Sequence, residues 1–171
     1  MQTSTTESLD LSDLSRRVEA EEYRGLGHAR HAAGDVEEAA AYYQMSLDIY
    51  PTAEAYTALG VTLAGRGQWD EAIALCEQAI ALEPDLGNPY NDMGVYLEQK
   101  GESDQALACF DRALAASHYD CRNYPHYHKG RIFEQMGRFG EARDAYYQSL
   151  QIDPEWPPAI TGYRRALGWL N

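Results

Sequence analysis

Four segments of the chain repeat one pattern of small and aromatic residues, and this repeat restricts the fold more than any other feature. Glycine recurs at intervals of 33, 34 and 36 residues, and a second glycine follows each of these seven residues later. A period of this length indicates helical or mixed units that bury their cores by stacking on one another. The four matching columns are Gly27, Gly60, Gly94 and Gly130; Gly34, Gly67, Gly101 and Gly137; Ala39, Ala72, Ala106 and Ala142; and Tyr43, Cys76, Phe110 and Tyr146.

Each unit has the pattern of two amphipathic helices, because apolar residues recur at helical spacing on both sides of the second glycine. That glycine predicts the end of the first helix, where a left-handed backbone is favoured. The first glycine and the alanine leave no side-chain bulk where the two helices cross, which offsets the poor helix propensity of Gly94. We therefore predict an all-α fold, in which Gly94→Leu overpacks the crossing at a cost of about 1–3 kcal/mol.

These columns resemble those of the tetratricopeptide repeat (TPR) family, whose units also carry an aromatic residue before the first glycine and a closing proline. The chain places Tyr23, Tyr56, Tyr90 and His126 at the aromatic position, and Pro51, Pro84 and Pro154 close three of the four units. The resemblance implies an α-solenoid, a right-handed superhelix of four helical hairpins with a C-terminal capping helix. The expected organisation is a disordered segment at residues 1–11, four units within residues 12–156 (20–52, 53–86, 87–122 and 123–156), and the capping helix at residues 157–171.

The two ends of the array carry their own predictions. Ser12 is the expected N-cap of a first helix that extends backwards beyond the first unit. A solenoid needs a terminal element that covers its last apolar face. Two prolines at 157–158 are expected to start that helix, with Ile160, Tyr163 and Leu167 as its inward stripe.

Charge is distributed unevenly along the chain. The net charge is −13; residues 1–99 hold 18 acidic and 5 basic side chains, whereas residues 100–171 hold nine of each. Such an acidic chain lacks the broad basic face that nucleic-acid binding needs, so no nucleic-acid partner is expected. Most of the acidic residues are expected to form a solvated surface.

Sequence features that would direct the chain to a membrane or out of the cell are not visible. No apolar run approaches the length of a membrane span, and the first residues lack the pattern of a signal peptide. The three cysteines are an odd number and read as reduced thiols. We therefore expect a cytoplasmic protein that does not contact membranes.

No catalytic motif is recognisable, so we predict a protein without enzymatic activity or cofactor. One cluster supports a second hypothesis: His118, Cys121, His126 and His128 lie within eleven residues, and imidazole and thiolate are zinc ligands. Their spacing matches no zinc module, and two histidines two residues apart on a helix point in different directions. A lengthened loop with packed histidines is the favoured interpretation, and a metal-binding protein is the alternative.

The family resemblance also implies a working surface, because in TPR proteins the first helix of each unit lines a concave channel. Transferred position by position, unit one contributes Glu21, Arg24, His28 and His31, and unit two contributes Glu54, Thr57, Val61 and Ala64. Units three and four and the final helix contribute the predicted partner-binding groove: Asn88, Asn91, Val95, Glu98, Tyr124, Tyr127, Arg131, Arg165 and Trp169. Asparagine side chains bond both backbone groups of an extended chain, and tyrosine, arginine and tryptophan are frequent in binding hot spots.

We therefore predict an adaptor that binds a peptide segment or a helix of another protein in this groove. Arg131 and Arg165 are expected to attract acidic groups of that segment, and Glu21 and Glu54 basic groups. Some family members bind a C-terminal carboxylate with a clamp of cationic side chains. In this chain the clamp is incomplete, since Asn88 and Asn91 are neutral at positions where it has cations. A dedicated chaperone or assembly factor for a secretion or pilus apparatus is the alternative. The oligomeric state is left open by the sequence, with a monomer slightly favoured. The first ten residues are a candidate for folding back and occupying the groove of their own chain.

Overall fold

The array is entirely helical in a computed structural model that describes residues 10–170. These residues contain no β-strand, and none of their helices is both long and apolar enough to cross a membrane. The predicted all-α class is confirmed. The helices are α1 (Leu11–Ala33), α2 (Val36–Ile49), α3 (Ala53–Ala64), α4 (Trp69–Leu82), α5 (Gly87–Lys100), α6 (Ser103–Ala115), α7 (Asn123–Gln135), α8 (Phe139–Ile152) and α9 (Pro157–Leu170).

The first eight helices form four consecutive hairpins, as the repeat predicts. The second glycine of each unit lies in the connection between the two helices with a φ between 72° and 87°, a left-handed conformation that L side chains rarely adopt. The alanine column is fully buried in every hairpin. At the helix crossing, a Cβ atom added to Gly94 would lie 2.6 Å from Cε1 of Phe110. Gly94 is therefore retained because the Phe110 ring of the second helix packs directly on its backbone.

Successive hairpins pack through a second set of positions, which the sequence pattern did not reveal. We number each unit so that its first-column glycine is position eight, which lies in the first helix of the hairpin. The contacts between hairpins are then made by positions three, six and ten of α3, α5 and α7. His128, at position six of α7, stacks on Phe110 of the preceding hairpin with ring centroids 5.4 Å apart. Positions three and ten are buried throughout: Ala55 and Thr62, Pro89 and Tyr96, Pro125 and Ile132, and Ala159 and Ala166.

The C-terminal helix, α9, packs in the same register as the first helix of a fifth unit would. Its buried residues are Ala159, Gly162 and Ala166, which correspond to positions three, six and ten. The predicted inward stripe of Ile160, Tyr163 and Leu167 is only partly buried, although Tyr163 packs against the last hydrophobic cluster, which contains Tyr146. They occupy positions that, in a complete unit, pack against the unit's own second helix, and no second helix follows α9 within residues 10–170.

The N-terminal boundary also differs from the sequence-based expectation. Asp10 rather than Ser12 is the N-cap of α1, and its carboxylate accepts a hydrogen bond of 2.9 Å from the backbone N–H of Ser12. A carboxylate satisfies a free N–H of the first turn as well as a hydroxyl does, so the helix starts two residues earlier than predicted. Residue 11 is thus helical, and the remainder of the segment expected to be disordered, residues 1–9, lies outside the described part.

The enlarged spacing before unit four is accommodated in the connection between α6 and α7. Leu86 and His118, from two consecutive inter-unit connections, form an isolated parallel bridge. In it the N–H of Gly87 donates to the carbonyl of His118 at 3.0 Å. Arg122 donates to the carbonyl of Ala116 at 2.8 Å and so satisfies the C-terminal end of α6. The extra residues therefore form an ordered connection.

Candidate functional site

Residues predicted for the groove from units three and four come together beside α5 and α7. Asn88 and Asn91 of α5 and Tyr124 of α7 line one cavity of about 200 Å³, together with Tyr119 and Cys121 from the connection before α7. Asn88 and Tyr124 are exposed, whereas Asn91 is partly buried. The structure thus places the first turns of these two helices around one shared depression.

An aromatic cluster borders this depression, and one of its members was not found by sequence reasoning. The Trp156 ring lies 4.8 Å from the centroids of both Tyr124 and Tyr127. Arg131 extends the row, with its guanidinium carbon 5.9 Å from the Tyr127 centroid. We call Tyr124, Tyr127, Arg131 and Trp156 the aromatic platform. Trp156 belongs to the connection before α9, outside the transferred groove positions; its place immediately before a first helix is the signal that could have identified it.

The polar groups next to the platform are engaged within the protein to different degrees. The side-chain amide of Asn91 donates to Oδ1 of Asp92 at 3.2 Å, so it is not a free donor for a bound chain. Burial raises the pKa of Asp92 to about 6, while the Asn91 hydrogen bond and the charge of His128 lower it in part. Asn88 makes no side-chain hydrogen bond within residues 10–170 and is the asparagine that remains available.

Two further predicted groove residues are parts of the packing between units. The carboxylate of Glu98 is buried; its Oε2 lies 2.8 Å from Nδ1 of His128, and its Oε1 lies 3.3 Å from Nη2 of Arg131. Val95 packs against the hydrophobic clusters on both sides of α5. Glu98 therefore holds α5 to α7 and positions Arg131, rather than presenting a free carboxylate to a ligand.

The predicted residues of the final helix do not join the platform as expected. Arg165 pairs with Glu134, with Nη2 and Oε2 2.6 Å apart, and this hydrogen bond holds the pKa of Glu134 below its usual value. Trp169 is exposed and stacks on Phe139 with centroids 5.2 Å apart. Thirteen residues separate Trp169 from Trp156, which places it ~20 Å further along the chain on α9.

These pairings weaken the charge argument for the orientation of a bound segment. Arg131 and Arg165 each face a glutamate, so the end of the groove beside unit four has less free positive charge than the sequence suggested. At the opposite end, Arg24 pairs with Glu21 at 2.6 Å, and both line a cavity of about 560 Å³ with Glu54. An acidic group of a ligand would have to compete with Glu98 or Glu134 for its arginine.

The histidine and cysteine cluster does not form a metal site in the described part of the chain. Within residues 10–170, no group of three or more His, Cys, Asp or Glu side chains is arranged to hold a metal ion. His128 bonds Glu98, while His126 is partly buried, and its pKa is lowered by that burial and by the nearby charge of Lys129. Cys121 is an exposed free thiol. Of the three histidines that were expected to pack, His126 and His128 are partly buried, whereas His118 is exposed in the longer connection.

Solved structures similar to this chain share its fold. The Pseudomonas aeruginosa pilF protein superposes with a TM-score of 0.82 at 23% identity, covering 89% of this chain and 69% of that one. PilW, described as a widely conserved type IV pilus biogenesis factor, gives a TM-score of 0.79 at 24% identity, with 86% and 68% covered. YrrB, described as a TPR protein with an unusual peptide-binding site, gives 0.71 at 18% identity, with 85% and 74% covered.

Sequence comparison supports the same relationship. Sperm-associated antigen 1 of Rattus norvegicus is 35% identical over 74 residues, which are 43% of this chain and 8% of that protein. The chain thus spans less than a tenth of the length of this curated relative. Two models of the tetratricopeptide repeat match it, one over residues 51–117 and the other over residues 14–54 and 91–159. Because these matches cover most of the chain and the structure shows the repeated helical hairpin, the chain belongs to the tetratricopeptide repeat family.

Proposed function

We propose that this protein is a non-enzymatic adaptor that binds an extended segment or a helix of another protein on the aromatic platform and Asn88. The observation that carries the proposal is the contact of Trp156 with both Tyr124 and Tyr127 beside a shared depression. Tyrosine and tryptophan combine a large apolar surface with a polar tip, which is why they are frequent where partners bind. The proposal narrows the predicted groove to the part between α5 and α9.

The geometry of the platform favours recognition with a small entropic cost on the protein side. Tyr127 and Trp156 are partly buried and hold each other in place, and Glu98 holds Arg131. Side chains that are already ordered lose little rotamer freedom on binding. Asn88, free at the edge, can pair with the backbone N–H and C=O of a segment that lies along the platform.

The proposal is tested by comparing the wild type with Tyr124→Ala and Trp156→Ala. Partners captured from the native lysate are identified first, and the bound segment is then titrated by calorimetry. Loss of one hot-spot ring is expected to weaken binding by about tenfold or more. Tyr147→Ala is the matched control, since Tyr147 is a similarly exposed tyrosine on α8 and contacts Tyr163 instead. Equal affinity of all four proteins would contradict the proposal.

An assembly factor for a secretion or pilus apparatus is a second candidate within the binding class. The similar structures include pilF and a type IV pilus biogenesis factor, but their identities of 23% and 24% support only a shared fold. Copurification with a partner that is insoluble alone would favour this candidate over a general adaptor. The cytoplasmic location and the absence of enzymatic activity remain predictions from the sequence.

A further inference from the structure

The groups that the aromatic platform presents restrict the kind of segment that can bind there, and we propose that it binds a proline-rich segment in the polyproline II conformation. This inference rests on the proposed function, because it names the class of ligand for the same surface. Four properties of the platform support it: its charge, its hydrogen-bond donors, the inclination of its rings and their spacing along α7.

The platform has no free charge for a charged ligand. Its one ionic group is Arg131, whose Nη2 lies 3.3 Å from Oε1 of the buried Glu98 carboxylate. An acidic segment would have to compete with that carboxylate for the guanidinium. A cationic side chain is disfavoured as well, because the Arg131 guanidinium already lies over the Tyr127 ring and repels a second cation. The platform therefore favours an uncharged segment.

The polar groups of the rings are hydrogen-bond donors without a partner in the described part of the chain. Within residues 10–170, neither the hydroxyl groups of Tyr124 and Tyr127 nor the indole N–H of Trp156 makes a hydrogen bond. An indole N–H can only donate, and a tyrosine hydroxyl can donate as well as accept. A ligand that matches these groups offers several acceptors and few N–H groups that need acceptors of their own.

A run of prolines has this composition. Each proline has a backbone carbonyl but no backbone N–H. The carbonyls of an α-helical segment are bonded within the helix, whereas polyproline II has no internal hydrogen bonds and leaves its carbonyls free to accept. Of the two kinds of segment in the proposed function, the extended one is therefore favoured.

The rings of the platform are suited to contact with proline side chains. The Trp156 ring is inclined by 51° to the Tyr124 ring and by 60° to the Tyr127 ring, so the three rings form angled walls rather than one flat surface. Tyr124 is exposed, and Tyr127 and Trp156 are partly exposed. Proline-rich segments dock in grooves that are lined by aromatic side chains, because their conformation is already extended before binding.

The spacing along α7 matches the repeat of the polyproline II helix. Tyr124, Tyr127 and Arg131 follow one another at intervals of three and four residues, so they lie on one face of α7. The seven residues from Tyr124 to Arg131 span ~10 Å of helix. One turn of polyproline II contains three residues and is ~9 Å long. Two prolines one turn apart can therefore contact the two ends of the platform.

The first test titrates the full chain with a decaproline peptide whose ends are blocked, so that the peptide carries no charge. The chain has three tryptophans, Trp69, Trp156 and Trp169, whose indole N–H groups give separate signals in nuclear magnetic resonance spectra. The Trp156 signal, assigned by its loss in Trp156→Phe, is expected to shift until the site is saturated. The other two signals should stay in place. A Trp156 signal that does not respond would overturn the proposal.

Two further peptides of the same length test the class of ligand. One alternates alanine and glycine and is also uncharged; it is expected to bind about tenfold more weakly or worse, because it lacks the proline rings and must be ordered on binding. The other carries glutamate at every third position of the proline run, and it is expected to bind more weakly than decaproline because Glu98 competes for Arg131. Binding of either peptide as tight as that of decaproline would overturn the proposal.

A matched pair of variants tests the indole donor. Trp156→Phe keeps an aromatic ring and removes the N–H, so the Kd for decaproline is expected to rise about threefold to tenfold, as for the loss of one hydrogen bond. Trp169→Phe makes the same exchange on an exposed ring outside the platform and should leave the Kd unchanged. Equal Kd values for Trp156→Phe and the wild type would contradict the assignment of the donor and with it the proposal.

The failure of this inference can be distinguished from the failure of the proposed function. If Trp156→Ala loses a captured protein partner while decaproline does not bind the wild type, the adaptor function stands and only the ligand class is wrong. If decaproline does not bind and Trp156→Ala keeps every partner, both proposals are wrong.

Discussion

At the scale of single residues, the fit between one glycine and one ring explains a column of the repeat. An added Cβ would lie 2.6 Å from the ring of Tyr43 at Gly27 and 2.7 Å from that of Tyr146 at Gly130. At Gly60, where Cys76 stands in the ring position, the nearest atoms are no closer than 3.4 Å. The requirement for glycine therefore follows the size of its partner in the second helix.

This difference predicts opposite effects for two alanine substitutions in one column. Gly94→Ala is expected to destabilise the protein by about 1–3 kcal/mol, because the added methyl group meets the buried Phe110 ring. Gly60→Ala is expected to be neutral or to stabilise by up to about 1 kcal/mol, since its contact is ordinary and alanine favours the helix. Urea unfolding of both variants measures the difference. Equal losses at the two sites would contradict the explanation.

At the scale of helices, the contact between units two and three contains the side chain of Asp92, whose burial disfavours the charged carboxylate. Asp92 takes position six of α5, and burial raises its pKa from an ordinary 3.8 to about 6. Between these two values the folded protein retains a proton that the unfolded chain releases. The free energy of unfolding therefore falls as the pH rises through this window, and it stays lower above it.

Substitution of this acid should reveal the effect. Asp92→Asn is expected to raise the free energy of unfolding at about pH 7 by on the order of 1–3 kcal/mol and to change it little at about pH 4. Asp120→Asn, on the exposed connection before α7, is the control and should show no such pH dependence. Chemical unfolding at both pH values provides the measurement. A gain of equal size at both would show that charge burial is not the cause.

The helices and hairpins could be predicted from the sequence because each hairpin repeats one internal contact with nearly the same residues. The contacts between hairpins could not, because position six is Ala58, Asp92, His128 or Gly162, each fitted to a different neighbour. For the same reason, the groove prediction includes Glu98, although its carboxylate bonds His128. Trp156 escapes prediction because its position, directly before a first helix, holds the unrelated residues Thr52, Leu86 and Arg122 in the other units.

At the scale of the whole molecule, each unit is stabilised by its neighbour, because aromatic rings pack between the helices of adjacent units. Tyr146 is fully buried between two glycines: an added Cβ would lie 2.7 Å from its ring at Gly130 and 2.5 Å at Gly162. Because each unit of a solenoid contacts only its neighbours, loss of a terminal helix weakens the adjacent unit first. The final helix therefore stabilises unit four, which carries most of the aromatic platform.

Ending the chain after Trp156 should demonstrate this gradient. Exchange of backbone amides in α7 and α8 is expected to become much faster, while α2, α3 and α4 keep most of their protection. Trp169→Ala is the control within α9, because this exposed ring contacts Phe139 at the surface and should affect exchange little. Mass spectrometry of hydrogen exchange resolves the helices. Equal acceleration along the chain would indicate a single cooperative unit instead.

The main-chain bridge between Leu86 and His118 has a consequence for how this surface can diversify. It fixes the spacing of the connections that lead into α5 and α7 by backbone hydrogen bonds, which do not depend on which side chains follow. Substitutions at Asn88 or Tyr124 can then alter the side chains that a binding partner contacts without changing the distance between the two helices. Descendants of this chain could thus acquire new specificities by point mutation while the frame around the site is inherited intact.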